Sequence, residues 1–345
     1  MNHLLGLRPN RAIPLTDPHQ SISLSYSHTS TMSSVVAVAG GTGDLGRTFV
    51  EAIVADGKWT VVVLARNADA QKEKEIGARI LPVDYDDVDN LVKALEENKV
   101  HTVISTLNIR ASVKPELNLI AAADRAQSTQ RYIPTIWSAK IPREIAAQHP
   151  LTQTKIDIKD ALEKTTTLEH SSWYIGLFAD YYVSPPLKSL VKILPIIVDV
   201  ANNAAGIPAS GDVPVAFTYT IDLAKFVVAS LSLPKWRKES YLINDKLTWN
   251  EVVRIAESVK GVKFNVTYDP VETLKAGRIT ELPGHVVSYP FWPKEQLQGT
   301  FSHFGLMFND GLFDIKPEHP ITKDLPDIKL RSFKELLEEA WGPKA

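Results

Sequence analysis

Apolar residues in the first half of the chain gather into short continuous runs, and between the runs they recur every three or four positions. Val35-Val36-Ala37-Val38-Ala39 is one such run and ends in glycines, which predicts a strand buried on both faces. Leu45, Phe49 and Ile53 then fall on one helix face, and Asp56-Gly57 stops that helix. Buried runs at residues 59–64, 78–83, 100–107 and 131–137 predict four further strands. Val88, Leu91, Val92 and Leu95 predict a helix between the third and fourth, and residues 115–127 another before the fifth. Strands alternating with helices predict an α/β fold built on a doubly wound parallel sheet. Right-handed crossovers place all strand C-termini on one edge, where ligands bind.

Past about residue 180 the pattern becomes mixed and Pro185-Pro186, Pro195, Pro208, Pro214, Pro283, Pro290 and Pro293 interrupt it. The legible pieces are a helix over 222–231, a strand over 240–244, a helix over 248–259 and an amphipathic helix over 332–341. Thr248 precedes Glu251 by three positions, the spacing of a capping box. These pieces predict a smaller mixed α/β lobe closing over the sheet edge. The expected organisation is a disordered N-terminal extension at 1–32, a dinucleotide-binding domain at 33–180 and a substrate-binding lobe at 181–345, with helices returning to the core of the first domain. The extension is polar, with Asp17 its single acidic residue.

Composition narrows the function classes. The 345 residues carry a net charge of -2, which gives no general affinity for nucleic acid or anionic membrane. With no cysteine, disulfides, thiolate metal sites and cysteine nucleophiles are excluded. The nine histidines form neither His-x-x-x-His nor Glu-x-x-His, so no metal is expected. Lys192, Pro195 and Asp199 break the most apolar later stretch, so no membrane span is expected. These readings imply a cytoplasmic monomer or homodimer whose partner is a small-molecule substrate.

The candidate chemistry begins at Gly40-Gly41-Thr42-Gly43-Asp44-Leu45-Gly46. Gly40, Gly43 and Gly46 recur every third residue directly after a strand and before a helix. A dinucleotide loop needs glycine for a tight turn, for close approach to the pyrophosphate and for helix–strand packing. The helix N-terminus then offers free amides and a positive dipole end to the phosphates. Arg66 lies 20 positions past Gly46, at the end of the second run. An acidic residue there would hold the ribose hydroxyls of NAD, whereas arginine suits the 2′-phosphate of NADP(H). Lys72 and Lys74 add positive charge nearby. The expected sheet is therefore an NADP-binding Rossmann sheet.

With these residues in place the chain resembles the NmrA-like and isoflavone-reductase-like branch of the atypical, or extended, short-chain dehydrogenases. The resemblance rests on the glycine loop, on Arg66 and on Arg131-Tyr132-Ile133-Pro134. It continues through the helix starting at Lys155-Ile156-Asp157 and the turn Trp173-Tyr174-Ile175-Gly176-Leu177-Phe178. Ile221-Asp222-Leu223-Ala224-Lys225 and Leu247-Thr248-Trp249-Asn250-Glu251-Val252 complete it. It implies Asp84 and Tyr85 near the adenine, Ser105 and Thr106 near the nicotinamide ribose, and Lys155 as the residue that handles a proton. Lys159, one turn on, would add positive charge beside Lys155. No tyrosine is followed by lysine four positions later, so Tyr-x-x-x-Lys chemistry is excluded. Where the plant reductases read Pro-Ser-Glu-Phe-Gly, this chain reads Pro134-Thr135-Ile136-Trp137-Ser138, which suggests a more apolar substrate. Weaker candidates are Tyr174, Tyr181 and Tyr182 as proton donors, His149 and His170 beside the lysine helix, and Trp137, Phe178 and Trp292 as pocket walls. Two functions stay open: an NADPH-dependent oxidoreductase of secondary metabolism, and a non-catalytic NADP(H) sensor acting through protein partners.

Overall fold

Alternation along the first strand decides what each face of the sheet packs against. In β1 (Val35–Ala39), Val36 and Val38 meet Phe49, Val50 and Ile53 of α1 (Asp44–Asp56). Ala37 and Ala39 point the other way, into a core shared with Leu91 and Leu95 of α3 (Val88–Glu97) and Leu119 and Ala123 of α4 (Lys114–Arg125). Both faces being covered is why the strand reads as an unbroken apolar run. The computed structural model describes residues 34–146, 150–192 and 194–343, so the expected N-terminal extension lies outside the described residues.

The sheet is completed by β2 (Thr60–Ala65), β3 (Arg79–Pro82), β4 (Val100–Ser105), β5 (Arg131–Ile133) and β6 (Glu169–His170). The order is β3-β2-β1-β4-β5-β6 and every pairing is parallel. The chain reverses direction across the sheet between β1 and β4, which makes the crevice beyond their C-termini the natural ligand site. Between β2 and β3 lies α2 (Ala70–Ile76), capped by Asp69, which accepts from the Lys72 amide at 2.9 Å. Two helices precede β6: the short α5 (Arg143–Ala146) and α6 (Pro150–Glu163).

The later half forms three small sheets. Val198–Asp199, Ala204–Pro208 and Asn265–Asp269 make one, and Leu177–Phe178, Val215–Thr218 and Asp245–Leu247 a second. Glu239–Tyr241 pairs in parallel with Ser172–Tyr174 to form the third. The helix Thr220–Ser230 packs on α1, and its Leu223, Phe226 and Val227 share the core of Val36 and Phe49. Thr248 and Glu251 do form the capping box of Trp249–Lys260, with the Glu251 amide donating to Thr248 Oγ1 at 3.1 Å and the Thr248 amide to Glu251 Oε2 at 2.8 Å. Among the described residues no helix is long and apolar enough to cross a membrane.

Elements that differ from the sequence expectation include the fifth strand, the strand over 240–244 and a late helix. The fifth strand ends at Ile133 rather than 137, because Pro134 has no amide to continue the ladder. The expected strand 240–244 ends at Tyr241, and Asp245–Leu247 begins a separate one in another sheet. The 16-residue helix Lys294–Asn309 has no counterpart among the expected elements.

Candidate active site

Each glycine of the loop after β1 has a different task. Gly40 turns the chain at φ 75°, and a side chain there would press on Thr106 Oγ1 at 2.9 Å. Gly41 packs between Val63 and Val50. At Gly46 an added Cβ would strike the Gly40 carbonyl and Thr106 Oγ1, so glycine lets α1 sit close against the end of β4. Gly43 is the exception: a Cβ there would meet nothing nearer than the Gly40 carbonyl at 4.0 Å. The space over Gly43 faces the first turn of α1, whose free amides suit a phosphate. Helix packing does not require glycine there, but a close-lying dinucleotide would.

Around that loop, Arg66 is exposed just past β2, and no hydrogen bond or ion pair holds its guanidinium among the described residues. Lys72 stands half-buried in the first turn of α2. Asp84 is exposed after β3, with its carboxylate accepting from the Asp86 amide at 2.9 Å. Tyr85 instead turns inward, is 7% exposed and donates its hydroxyl to the Leu64 carbonyl at 2.9 Å. Its phenol is therefore spent on the end of β2 rather than presented to an adenine. Ser105 differs from expectation in the same way. It is fully buried and its hydroxyl bonds to Glu116, so it offers no side chain to a ribose. Thr106 stays at the sheet edge, its hydroxyl donating to the Ala39 carbonyl at 2.8 Å.

Glu116 is a site feature that sequence reasoning missed. It is completely buried in α4, bonded by the Ser105 hydroxyl and by the Thr135 amide at 3.1 Å. It thereby ties the end of β4 to the turn after β5. Burial pushes its carboxyl up to about 7, against the lowering effect of those hydrogen bonds. The signal was present: Glu116, Leu119, Ile120 and Ala123 share one helix stripe, so the glutamate occupies a core position.

Lys155, on α6, donates its ammonium to Ser138 Oγ, on the turn after β5. Burial lowers it to about 8. Lys159 does not cause this. It lies 3.5 Å from Glu239, which also holds Lys140 at 2.7 Å, so its charge is compensated. The lowering comes from desolvation alone.

A cavity of about 900 Å³ joins the two regions. Leu45 and Thr106 line it at the glycine loop, and Ser138 and Lys155 line it farther along. Its walls include the expected Trp137, Phe178 and Trp292, together with Tyr181. The Trp137 ring is fixed by its Nε1 donating to the Ser105 carbonyl at 2.9 Å and by Phe49 at 4.8 Å between centroids. The unforeseen helix Lys294–Asn309 supplies Phe301, Phe304, His303 and Met307. Ile136 does not line the cavity: it is 1% exposed in the core. The apolar character belongs to these other walls. Tyr174 packs on Tyr241 and Tyr182 on Phe217, both in the core, while His170 sits on edge strand β6 away from the cavity. His149 lies outside the described residues.

The sequence model of the NmrA-like family matches residues 32–337. The chain belongs to this family. The oxidoreductase BOA1 of Botryotinia fuckeliana is 35% identical over 231 residues, covering 66% of this chain and 77% of its own length. Pinoresinol reductase 2 of Arabidopsis thaliana is 25% identical over 321 residues, covering 88% of this chain and 95% of that protein. The solved structure of AtPrR2 with NADP+ and (+)pinoresinol superposes with a TM-score of 0.66 at 23% identity, over 88% of this chain and 98% of that one. A leucoanthocyanidin reductase–NADPH complex from Vitis vinifera gives 0.68 at 19% identity, over 89% and 99%. The likeness to these structures is one of fold.

Proposed function

We propose that this NmrA-like protein is an NADPH-dependent oxidoreductase that reduces a small, largely apolar or aromatic metabolite in secondary-metabolite biosynthesis. One observation carries the reading: a single cavity runs from the glycine loop at Leu45 and Thr106 to the desolvated ammonium of Lys155. The names of the relatives, oxidoreductase and pinoresinol reductase, agree with it. The residues fit the cofactor. The segment Gly40 to Gly46, with the open face of Gly43, would receive the pyrophosphate, and Arg66 with Lys72 would hold the 2′-phosphate. Asp84 would border the adenine and Thr106 the nicotinamide ribose.

NADPH, when bound, supplies the hydride. The protein's part is to position the substrate and stabilise the negative charge that develops on it. Aromatic walls orient an apolar ring system and exclude water. Lys155 is the proton donor to the developing anion, and at about 8 its pKa lies close to neutral, where general acids work best. Ser138 Oγ accepts from the ammonium and aims it. The sensor reading draws in part on Ile136, which lies in the core and is not a cavity wall.

Lys155→Ala tests the assignment. The expected outcome is loss of deuterium transfer from labelled NADPH to product, with NADPH affinity within about twofold of wild type. Equal loss of affinity and turnover would make Lys155 structural. Complete absence of labelled product from wild-type protein across metabolite extracts would favour the sensor.

A further inference from the structure

The cavity that holds Lys155 is charged in one sense only. Lys155 and Arg110 both line it, and among the described residues no aspartate or glutamate does. Several other arginines meet carboxylates closely: Arg47 has Glu51 at 3.0 Å, Arg131 has Glu169 at 2.8 Å, and Arg331 has Asp222 at 3.0 Å. Arg110 has no such partner among the described residues. Its guanidinium instead lies over the ring of Trp292, 5.2 Å from the centroid, and Trp292 is itself a cavity wall.

Its backbone is placed by an Asx turn at the sheet edge, where the Arg110 amide donates to Asn108 Oδ1 at 3.0 Å. The exposed side chain reaches Trp292, two residues before the helix Lys294–Asn309. Its charge also reaches the phenol of Tyr181, on a third part of the wall. An aromatic face holds a guanidinium flat without neutralising it, leaving the in-plane N–H groups free to form a two-pronged bond. A neutral apolar substrate would gain nothing from that arrangement. An aromatic carboxylate would satisfy both features, with its ring against Trp292, Phe304 and Phe178 and its charge on Arg110.

We propose that the substrate is an aromatic or apolar carboxylic acid, and that Arg110 binds its carboxylate while Lys155 faces the reducible end. This rests on the reductase reading of the same cavity. It makes Arg110 a specificity-determining residue and separates it from Arg66, which would hold the cofactor phosphate.

The test compares naphthoate with its uncharged isostere naphthamide by calorimetric titration near neutral pH. NADP+ is held at saturation, so that the glycine loop and Arg66 are filled. Naphthoate is expected to bind at least about 10-fold tighter than naphthamide. Arg110→Gln should bring the two within about threefold by weakening naphthoate alone, and Arg110→Lys should keep part of the preference. NADP+ affinity should not change in either variant. Equal binding of the two probes, no binding of naphthoate at millimolar concentration, or equal weakening of both by Arg110→Gln would overturn the proposal. So would a fall in NADP+ affinity in Arg110→Gln, which would give Arg110 to the cofactor. Wild-type protein that binds no NADP+ would overturn the reductase reading as well, whereas NADP+ binding without probe preference overturns this proposal alone.

Discussion

Two ionisable side chains, displaced in opposite directions by the same cause, bracket the turn after β5. Burial raises Glu116 from 4.5 to about 7 and lowers Lys155 from 10.5 to about 8. Their effects on stability differ in sign. Between 4.5 and about 7 folded Glu116 keeps a proton that the unfolded chain has lost, so its contribution is full below 4.5 and fades as pH rises. Between about 8 and 10.5 folded Lys155 has lost a proton that the unfolded chain keeps, so its contribution grows with pH. Glu116→Gln retains an acceptor for the Thr135 amide and removes the ionisation. In urea unfolding, the wild type should lose about 1–3 kcal/mol across the lower window and the variant should be nearly flat there. An unchanged slope would show that Glu116 ionises at its ordinary pKa and that another group sets the dependence.

At the scale of elements, what could be read from the sequence followed the strength of its periodicity. β1 and α1 were readable because Val35 to Ala39 is uniformly apolar and Leu45, Phe49 and Ile53 mark one helix face. The short α2 was not, since Ile76 is its one buried residue and a helix with no apolar stripe leaves no pattern. Lys294–Asn309 is a different failure. Leu297, Phe301, Phe304 and Phe308 are spaced as a helix requires, but Gly299, Gly305 and the preceding prolines obscure it. That miss cost a whole cavity wall. Gly299 shows whether its glycines are structural: a Cβ there would meet nothing within 4 Å. Gly299→Ala should therefore raise stability by about 0.5–1 kcal/mol, as removal of glycine from an exposed helix interior does. A destabilised variant would mean that the helix needs its flexibility at that point.

The whole molecule explains why the glycine loop was legible as a unit, whereas the cavity was legible only at single residues such as Lys155, Trp137, Phe178 and Trp292. The loop is local, seven consecutive residues running from the end of β1 into the first turn of α1, whereas the cavity draws on Leu45, Arg110, Lys155, Phe178 and Trp292, which only the tertiary fold brings together. The same long-range joining bears on the boundary expected at residue 180. Helix Thr220–Ser230 shares one core with β1 and α1, and Glu239–Tyr241 pairs in parallel with the earlier strand Ser172–Tyr174. Residues Ser33–Ala345 form one compact unit, and we expect them to unfold in a single step. A ligand held by the loop should then stabilise all of it, by about 2.7 kcal/mol at a hundredfold excess over its dissociation constant. In calorimetry NADPH should move one transition upward as a whole. Arg66→Ala should reduce the shift given by NADPH, by about 1.5–3 kcal/mol of binding energy, and leave the smaller NADH shift unchanged. Two transitions, of which NADPH moves one, would show that the sheet and the later residues fold as separate units despite their shared core. Equal loss of both cofactors in Arg66→Ala would remove Arg66 from the phosphate site.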